Sequence, residues 1–308
     1  QTSKIHGGYS SSMRTIRIGT RGSRLALLQT DMVRKALSLL EPDIETSVCV
    51  VKTTGDILSD APLDAIGGKG VFVKEIERAL LAGEIDCAVH SLKDMQAVLP
   101  EGLTIGAYLE REDPRDMLFS VNGCTMKTLP PGSKVGTSSM RRRCQVRLLR
   151  PDVEVVDIRG NVPTRLGKVG REVDAVILAA AGVKRLGLEE GIALDPDDMM
   201  PSPGQAVIAI ESRSSDTELM NLLRRLDHYP TRVCAEAERA FLAALGQDCN
   251  LPAGALATLC GEEVSIAGML GSPDESFVKR MCMEGADPSI GELLAEALKE
   301  KVGREVSS

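Results

Sequence analysis

The chain has no tryptophan, and only four Phe and three Tyr among its 308 residues. Proteins that hold single-stranded nucleic acid stack its bases on aromatic side chains, and a chain this poor in aromatics offers no such platform. Three His in the whole sequence argue against a His-rich metal centre. The longest apolar run, AVILAAAG at 175–182, is far below the roughly 20 residues of a membrane-spanning helix. None of the eight Cys (49, 87, 124, 144, 234, 249, 260 and 282) stand in a CxxC arrangement. A chain of this length needs no disulfide framework, so mostly buried thiols in a reducing compartment are expected. Acidic residues outnumber basic ones, 44 to 37, for a formal net charge of -7, the wrong sign for a general nucleic-acid binder. No acidic residue precedes Asp31, and residues 1–13 (QTSKIHGGYSSSM) are polar and unpatterned. They read as a disordered arm with Met13 as the natural start, or as the stub of an organellar transit peptide. The compartment is accordingly cytoplasmic, or a plastid-type organelle if the arm is such a stub.

What is present is ordinary globular sequence, 43% apolar and 26% charged, long enough for two domains or three small ones. Residues 16–19 read as a strand. Ser23 then caps a helix to Leu40, because Leu25, Leu28, Met32, Ala36 and Leu40 recur at helical spacing and Pro42 closes the segment. A strand at 44–51, a loop with Gly55, Gly67, Gly68 and Gly70, a helix at 72–81 stopped by Gly83, and a strand at 85–89 follow. This order predicts an α/β unit on a largely parallel sheet. A second unit begins near Asp116, with strands ending at Val135 and spanning 153–158 and 174–179, and helices at 140–149, 163–168 and 183–188. Residues 207–211, after Pro201 and Pro203, form a strand without a local partner, which predicts a return to the first sheet. The remainder is a small α+β module: helices at 231–245 and 290–301 and alternating segments at 253–260, 263–270 and 277–284. The expected domains are 14–112 with 207–228, then 113–206, then 229–308.

Charge is unevenly spread. Between Lys134 and Arg171 ten Lys/Arg face three Asp/Glu, a local surplus of seven positive charges in a net-acidic chain. Eight of the ten are Arg, whose planar fork suits carboxylates and phosphates. Arg143, Arg147 and Arg150 read as a solvated helix face. Arg141, Arg142, Arg159 and Arg165 fall where strands hand over to helices, the crevice in which open α/β sheets bind ligands. Gly136, Thr137, Ser138 and Ser139 add hydroxyls and N–H groups at a helix N-terminus. In the first unit, Gly19-Thr20-Arg21-Gly22-Ser23 repeats that arrangement, and Lys93-Asp94 after the strand at 85–89 supplies a candidate acid or charge stabiliser. A small polyanionic ligand fits better than nucleic acid. Cys249, in a polar loop before Pro252, is less suited to core filling than Cys49 or Cys87.

Taken together, IRIGTRGSRLAL, GGKGVFVKEIERALL, AVHSLKD, GTSSMRRR, IRGNVPTRL, ILAAAGVKRLGL and AERAFLAAL resemble, in order and over nearly the whole chain, the hydroxymethylbilane synthase (porphobilinogen deaminase) family. The resemblance implies two periplasmic-binding-protein-like α/β domains plus a small C-terminal α+β domain, in a monomeric transferase of haem and tetrapyrrole biosynthesis. Four porphobilinogen molecules would be deaminated and polymerised onto a dipyrromethane cofactor, bound by a thioether to Cys249, with neither nucleic acid nor membrane as partner. It implies that Asp94 handles the pyrrole nitrogens and cationic intermediates, with Lys93 and Arg21 also in the catalytic set. Arg21, Arg141, Arg142, Arg159, Arg165 and Arg185 would bind acetate and propionate groups, and Ser23, Lys93, Ser138 and Ser139 fall on binding positions. Gln205 falls in the inter-domain segment. The chain departs from the family pattern at Gln247-Asp248 before the Cys, at Gln96 in place of Pro, and at PSPG before Gln205. The alternative from another class is a two-domain binding protein for a small polycarboxylate, which leaves Cys249 and the third module without a role.

Overall fold

The computed structural model describes residues 15–53, 73–189, 191–246 and 251–306. β1 (Ile16–Thr20) turns its isoleucines inward and ends at Ser23, whose hydroxyl accepts the Ala26 N–H and so starts α1 (Arg24–Leu40). Val33 and Leu37 of α1 bury against the sheet. β2 (Thr46–Val50), α2 (Lys74–Leu81), β3 (Cys87–Ser91) and β4 (Leu103–Tyr108) follow. The second unit holds β5 (Asp116–Ser120), β6 (Lys134–Gly136), α3 (Met140–Leu149), β7 (Glu154–Val156), α4 (Val162–Leu166), β8 (Ala175–Ala179), α5 (Ala180–Arg185) and β9 (Ile192–Ala193). The chain then makes β10 (Ile208–Arg213) and α6 (Thr217–Arg224).

The two sheets repeat one pattern, β2-β1-β3-β10-β4 and β7-β6-β8-β5-β9. In each, the first three strands are parallel, and the fourth runs antiparallel to both neighbours. The largely parallel reading therefore needs amending by one reversed strand per sheet. The cause is topological: β5 and β10 are the strands that enter after the chain crosses from one sheet to the other. The orphan strand expected at 207–211 lies in the first sheet, with Ile210 beside Val89 on one side and Ala107 on the other. β4, β9 and α6 were not foreseen in the sequence. The segment LTIGAY of β4 has no clean alternation, because Gly106 is where Leu223 of α6 packs; a Cβ there would lie 2.6 Å from its Cδ1.

The third unit is an antiparallel sheet of β11 (Ala253–Cys260), β12 (Glu263–Gly271) and β13 (Val278–Gly285), with α7 (Tyr229–Leu245) and α8 (Ile290–Val306) packed on it. Phe241, Ile266, Leu270, Leu294 and Leu298 are fully buried between them. The helices touch at Gly291, where a Cβ would sit 1.9 Å from the Ala237 carbonyl oxygen.

One residue of α7 joins all three units. The Glu238 carboxylate is fully buried and accepts from Arg111 Nη1 at 2.6 Å and Nη2 at 3.2 Å, from Gly204 N at 2.6 Å and from Ala257 N at 2.8 Å. Arg111 lies in the first crossing segment, 109–115, and Gly204 in the second, 194–207. Glu238→Ala leaves the Arg111 guanidinium buried without its counter-ion, a class of change that costs about 3–5 kcal/mol. We expect a clearly lower urea midpoint and increased proteolysis of the crossing segments; a midpoint equal to wild type would contradict this role.

Candidate functional site

Between the two sheets lies a cavity of about 100 Å³ at the carboxyl ends of the strands. The first unit lines it with Gln29, Ser91 and Lys93, and the second with Arg142, Arg165 and Arg185. Four cations and no carboxylate line it among the described residues. Lys93 is carried by a 3-10 turn, Leu92–Asp94, directly after β3. That turn is pinned by the buried Leu92 side chain and by its N–H, which donates to Val207 O at 3.0 Å. Behind Leu92 stands Gly204 at φ +74, where a side chain would meet Leu92 Cγ at 2.8 Å.

The charges are held from below by one acid. Asp116, first in β5, is fully buried. It accepts Arg141 Nη1 at 2.9 Å, Arg142 Nε at 3.2 Å and Nη2 at 2.8 Å, and Gln205 Nε2 at 2.8 Å. Burial pushes its carboxyl upward, but the two guanidiniums prevail and hold it well below the usual carboxylate range. Arg141 also donates to Met200 O at 2.6 Å, and Arg142 to Ile177 O at 2.9 Å. Gln205 takes Lys93 Nζ on its other end at 3.5 Å. Crowding by protein atoms, despite partial surface access, lowers the Lys93 ammonium to about 8; Asp94 opposes this, and Arg142 adds to it.

Arg165 and Arg185 bond to no carboxylate among the described residues. Arg165 Nε donates to Gly160 O at 2.7 Å and Arg185 Nη2 to Ala206 O at 2.7 Å, while Arg185 Nε is buried with no acceptor. Burial lowers the pKa of both, and Arg142 and Arg159 lower that of Arg165 further. Glu112 offsets this only in part for Arg185, and desolvated cations facing one cavity with no carboxylate bonded to them among the described residues are suited to an anion.

The other sequence-predicted residues are placed as follows. Asp94 is half-buried beside Lys93 and accepts no hydrogen bond from a described residue. Arg21 and Arg159 are half-buried in the turns after β1 and β7. The Ser138 hydroxyl donates to Ile158 O at 2.7 Å and accepts from Ile158 N at 3.1 Å, while Ser139 and Ser23 cap α3 and α1. Cys249, with Gln247 and Asp248, lies outside the described residues, as do residues 1–13 and the glycines at 55–70. The chain enters that segment from Gly246, at φ +92 after α7.

The solvated-face reading holds for Arg147, which is exposed, and is corrected for Arg143 and Arg150, which are partly buried. Arg143 and Arg147 grip Glu275 of the third unit at 3.0 and 2.6 Å. Arg150 pairs with Asp152 at 2.7 Å and donates to the Met126 and Leu129 carbonyls. A single helix offers no sign of a neighbour 128 or 132 residues away, so composition alone did not show the contact of Arg143 and Arg147 with Glu275. Sequence reasoning missed Asp116, Gln29 and Ser91. An acid heading the apolar strand DMLFS was the available signal for the first.

Comparison with known proteins gives a consistent result. The family model described as "Porphobilinogen deaminase, dipyromethane cofactor binding domain" matches residues 16–221, and "Porphobilinogen deaminase, C-terminal domain" matches 232–300. A porphobilinogen deaminase of Roseiflexus sp. (strain RS-1) is 50% identical over 94% of this chain and 97% of its own length. That of Syntrophobacter fumaroxidans is 46% identical over 95% and 93%. Among solved structures, the methionine-binding protein MetQ aligns over 74% of this chain and 93% of its own, at 12% identity and a TM-score of 0.44.

Because the Lys93 ammonium titrates near pH 8, cleft affinity for a dicarboxylate such as succinate should be level below that pH and fall above it. Lys93→Met should bind more weakly at pH 7 and lose that pH dependence. Titration calorimetry across pH 6.5–9 decides it, and an unchanged profile in the variant would count against the assignment. The folded value lies below the ordinary lysine value of 10.5. The unfolded chain therefore binds more protons between about 8 and 10.5, and the Lys93 contribution to stability rises with pH across that window.

Proposed function

Since this chain belongs to the porphobilinogen deaminase family, we propose that it joins four porphobilinogen molecules with loss of ammonia, stepwise, on a dipyrromethane primer attached at Cys249, to release hydroxymethylbilane. The observation that carries the reading is the cavity lined by Lys93, Arg142, Arg165 and Arg185 with no lining carboxylate. Each pyrrole unit brings two carboxylates, so the donor set fits both primer and substrate. When bound, the dipyrromethane supplies a free pyrrole α-carbon as the nucleophile.

The residues then divide the work. Arg142 is fixed by Asp116 and Ile177 O with its fork already oriented, so it binds a carboxylate without ordering itself. Arg165 and Arg185 hold side-chain carboxylates at the second wall, Arg21, Ser23 and Arg159 extend the anionic track along the turns, and Arg141, Ser138 and Ser139 shape the α3 N-terminus beneath the primer. Asp94 accepts the pyrrole N–H and stabilises the positive charge that develops on the substrate ring as ammonia departs. Lys93, titrating near pH 8, is able to pass a proton to the departing amine. We further propose the domains 14–112 with 207–228, 113–206 and 229–308, and a monomer working in the cytoplasm without nucleic acid or membrane as partner.

Asp94→Asn keeps the shape and removes the charge. Turnover of porphobilinogen should fall by about two orders of magnitude or more with the thermal midpoint unchanged; near-normal turnover would remove Asp94 from this role. The intact mass of wild type should exceed the sequence mass by two linked pyrroles that thiol reductants do not release, because a thioether does not exchange with thiols. Cys249→Ser should show the bare mass and almost no activity. An active Cys249→Ser at bare mass would overturn covalent priming here.

A further inference from the structure

α3 has a functional end and an unexplained end. Arg142 at its N-terminus faces the cleft, whereas Leu149 and Arg150 at its C-terminus border a second cavity of about 350 Å³, roughly 10 Å along the helix axis at 1.5 Å per residue. No residue lines both cavities. The second is the larger and has the size of a small-molecule site. Its walls are apolar: Met126, Leu149, Ile192, Ala193, Leu194 and Met199. Met126, Leu194 and Met199 belong to the core of the second unit, and methionine side chains adapt to a guest at little cost.

The rim carries charge of both signs. Arg150 is spent on Asp152 and two carbonyls. Lys127, Asp195 and Asp198 also line the cavity, the two acids exposed and without an ion pair to a described residue. Arg280, the cation arriving from the third unit, spends its guanidinium on the Asp197 and Asp198 carbonyls and on Gln145. Bonds to neutral acceptors leave the Arg280 charge in place, so Lys127 and Arg280 stand against Asp195, Asp197 and Asp198, a surplus of one negative charge at the mouth.

The inner wall is also the start of the second crossing segment. Met199 touches Gln145 Nε2 through Sδ at 3.5 Å, and Met200 N donates to Gln145 Oε1 at 2.7 Å. Met200 O takes Arg141, Arg141 shares Asp116 with Arg142 and Gln205, and Gln205 takes Lys93. A displacement of residues 198–200 therefore bears on groups that set the cleft.

We propose that this cavity is a second ligand site, for a small apolar amine of one ring and a short chain, and that its occupancy is felt in the cleft through the crossing segment. The carboxylates at the mouth favour a cationic head over a neutral one, and the cationic cleft itself repels such a ligand.

Phenethylamine and its neutral counterpart 2-phenylethanol are the probes, followed by saturation-transfer NMR on the full chain. The amine should bind at millimolar concentration and roughly threefold to fivefold more tightly than the alcohol, a preference that Asp195→Asn with Asp198→Asn abolishes. Ala193→Phe fills the cavity and should abolish binding of both. Should that variant fail to fold, Leu149→Trp, at the exposed mouth, places the sole indole in a chain that has no tryptophan, and its fluorescence should titrate with the amine. At saturating amine the KM for porphobilinogen should shift by about fivefold. No amine binding, binding undiminished in Ala193→Phe, or an indole blind to the amine would overturn the site. A KM unmoved while Leu149→Trp reports full occupancy would overturn the link to the cleft.

Discussion

A single buried carboxylate, Asp116, organises the cationic face of the cleft. Two guanidiniums cannot lie side by side in a dry interior without an anion between them, and Asp116 supplies it to Arg141 and Arg142. Because it stands at the first position of β5, its place is fixed by the sheet and not by a loop. Arg142 thereby acquires one orientation, and Gln205, held on the same carboxylate, carries that order across to Lys93 in the other unit. Arg165 and Arg185 bond to no such acid among the described residues and spend one nitrogen each on a carbonyl.

The same economy governs the joint between units. The two crossings run together, with Glu112 N on Ala206 O and Leu109 N on Ile208 O, and each enters a sheet as its reversed strand. Glu238 clasps both from the third unit, and its neighbour Arg239 holds the Gln96 and Ala97 carbonyls just past Asp94. The helix that leads toward Cys249 is thus bound to the segment that carries Asp94. The departure at Gln96 is tolerated in that contact because only its carbonyl is used.

Much of the local structure was legible. Ser23, Ser139 and Asn161 announce helix starts by cap chemistry, and periodicity gave α1, α7 and the three-stranded sheet to within a few residues. Gly106 hid β4, since a glycine chosen for close packing breaks the alternation that identifies a strand. The site was legible as a surplus of arginine at strand ends and through a family resemblance carried by several motifs. What was not legible was the internal partners of those arginines, such as Asp116 and Glu275.

Patterning and composition by themselves determined two α/β units, a third α+β module and a cationic crevice, because these follow from periodicity, caps and charge within short windows. Tertiary structure alone decided which cations have internal counter-ions and which line the cleft. Arg143, Arg147 and Arg150 have partners that lie far off in sequence or in neighbouring loops. Arg141 and Arg142 share a single acid some 25 residues upstream, which offsets one of their two positive charges and leaves one for the cleft. A charge counts toward binding only after its internal counter-ions are subtracted, and those are set by contacts between elements that no local window contains.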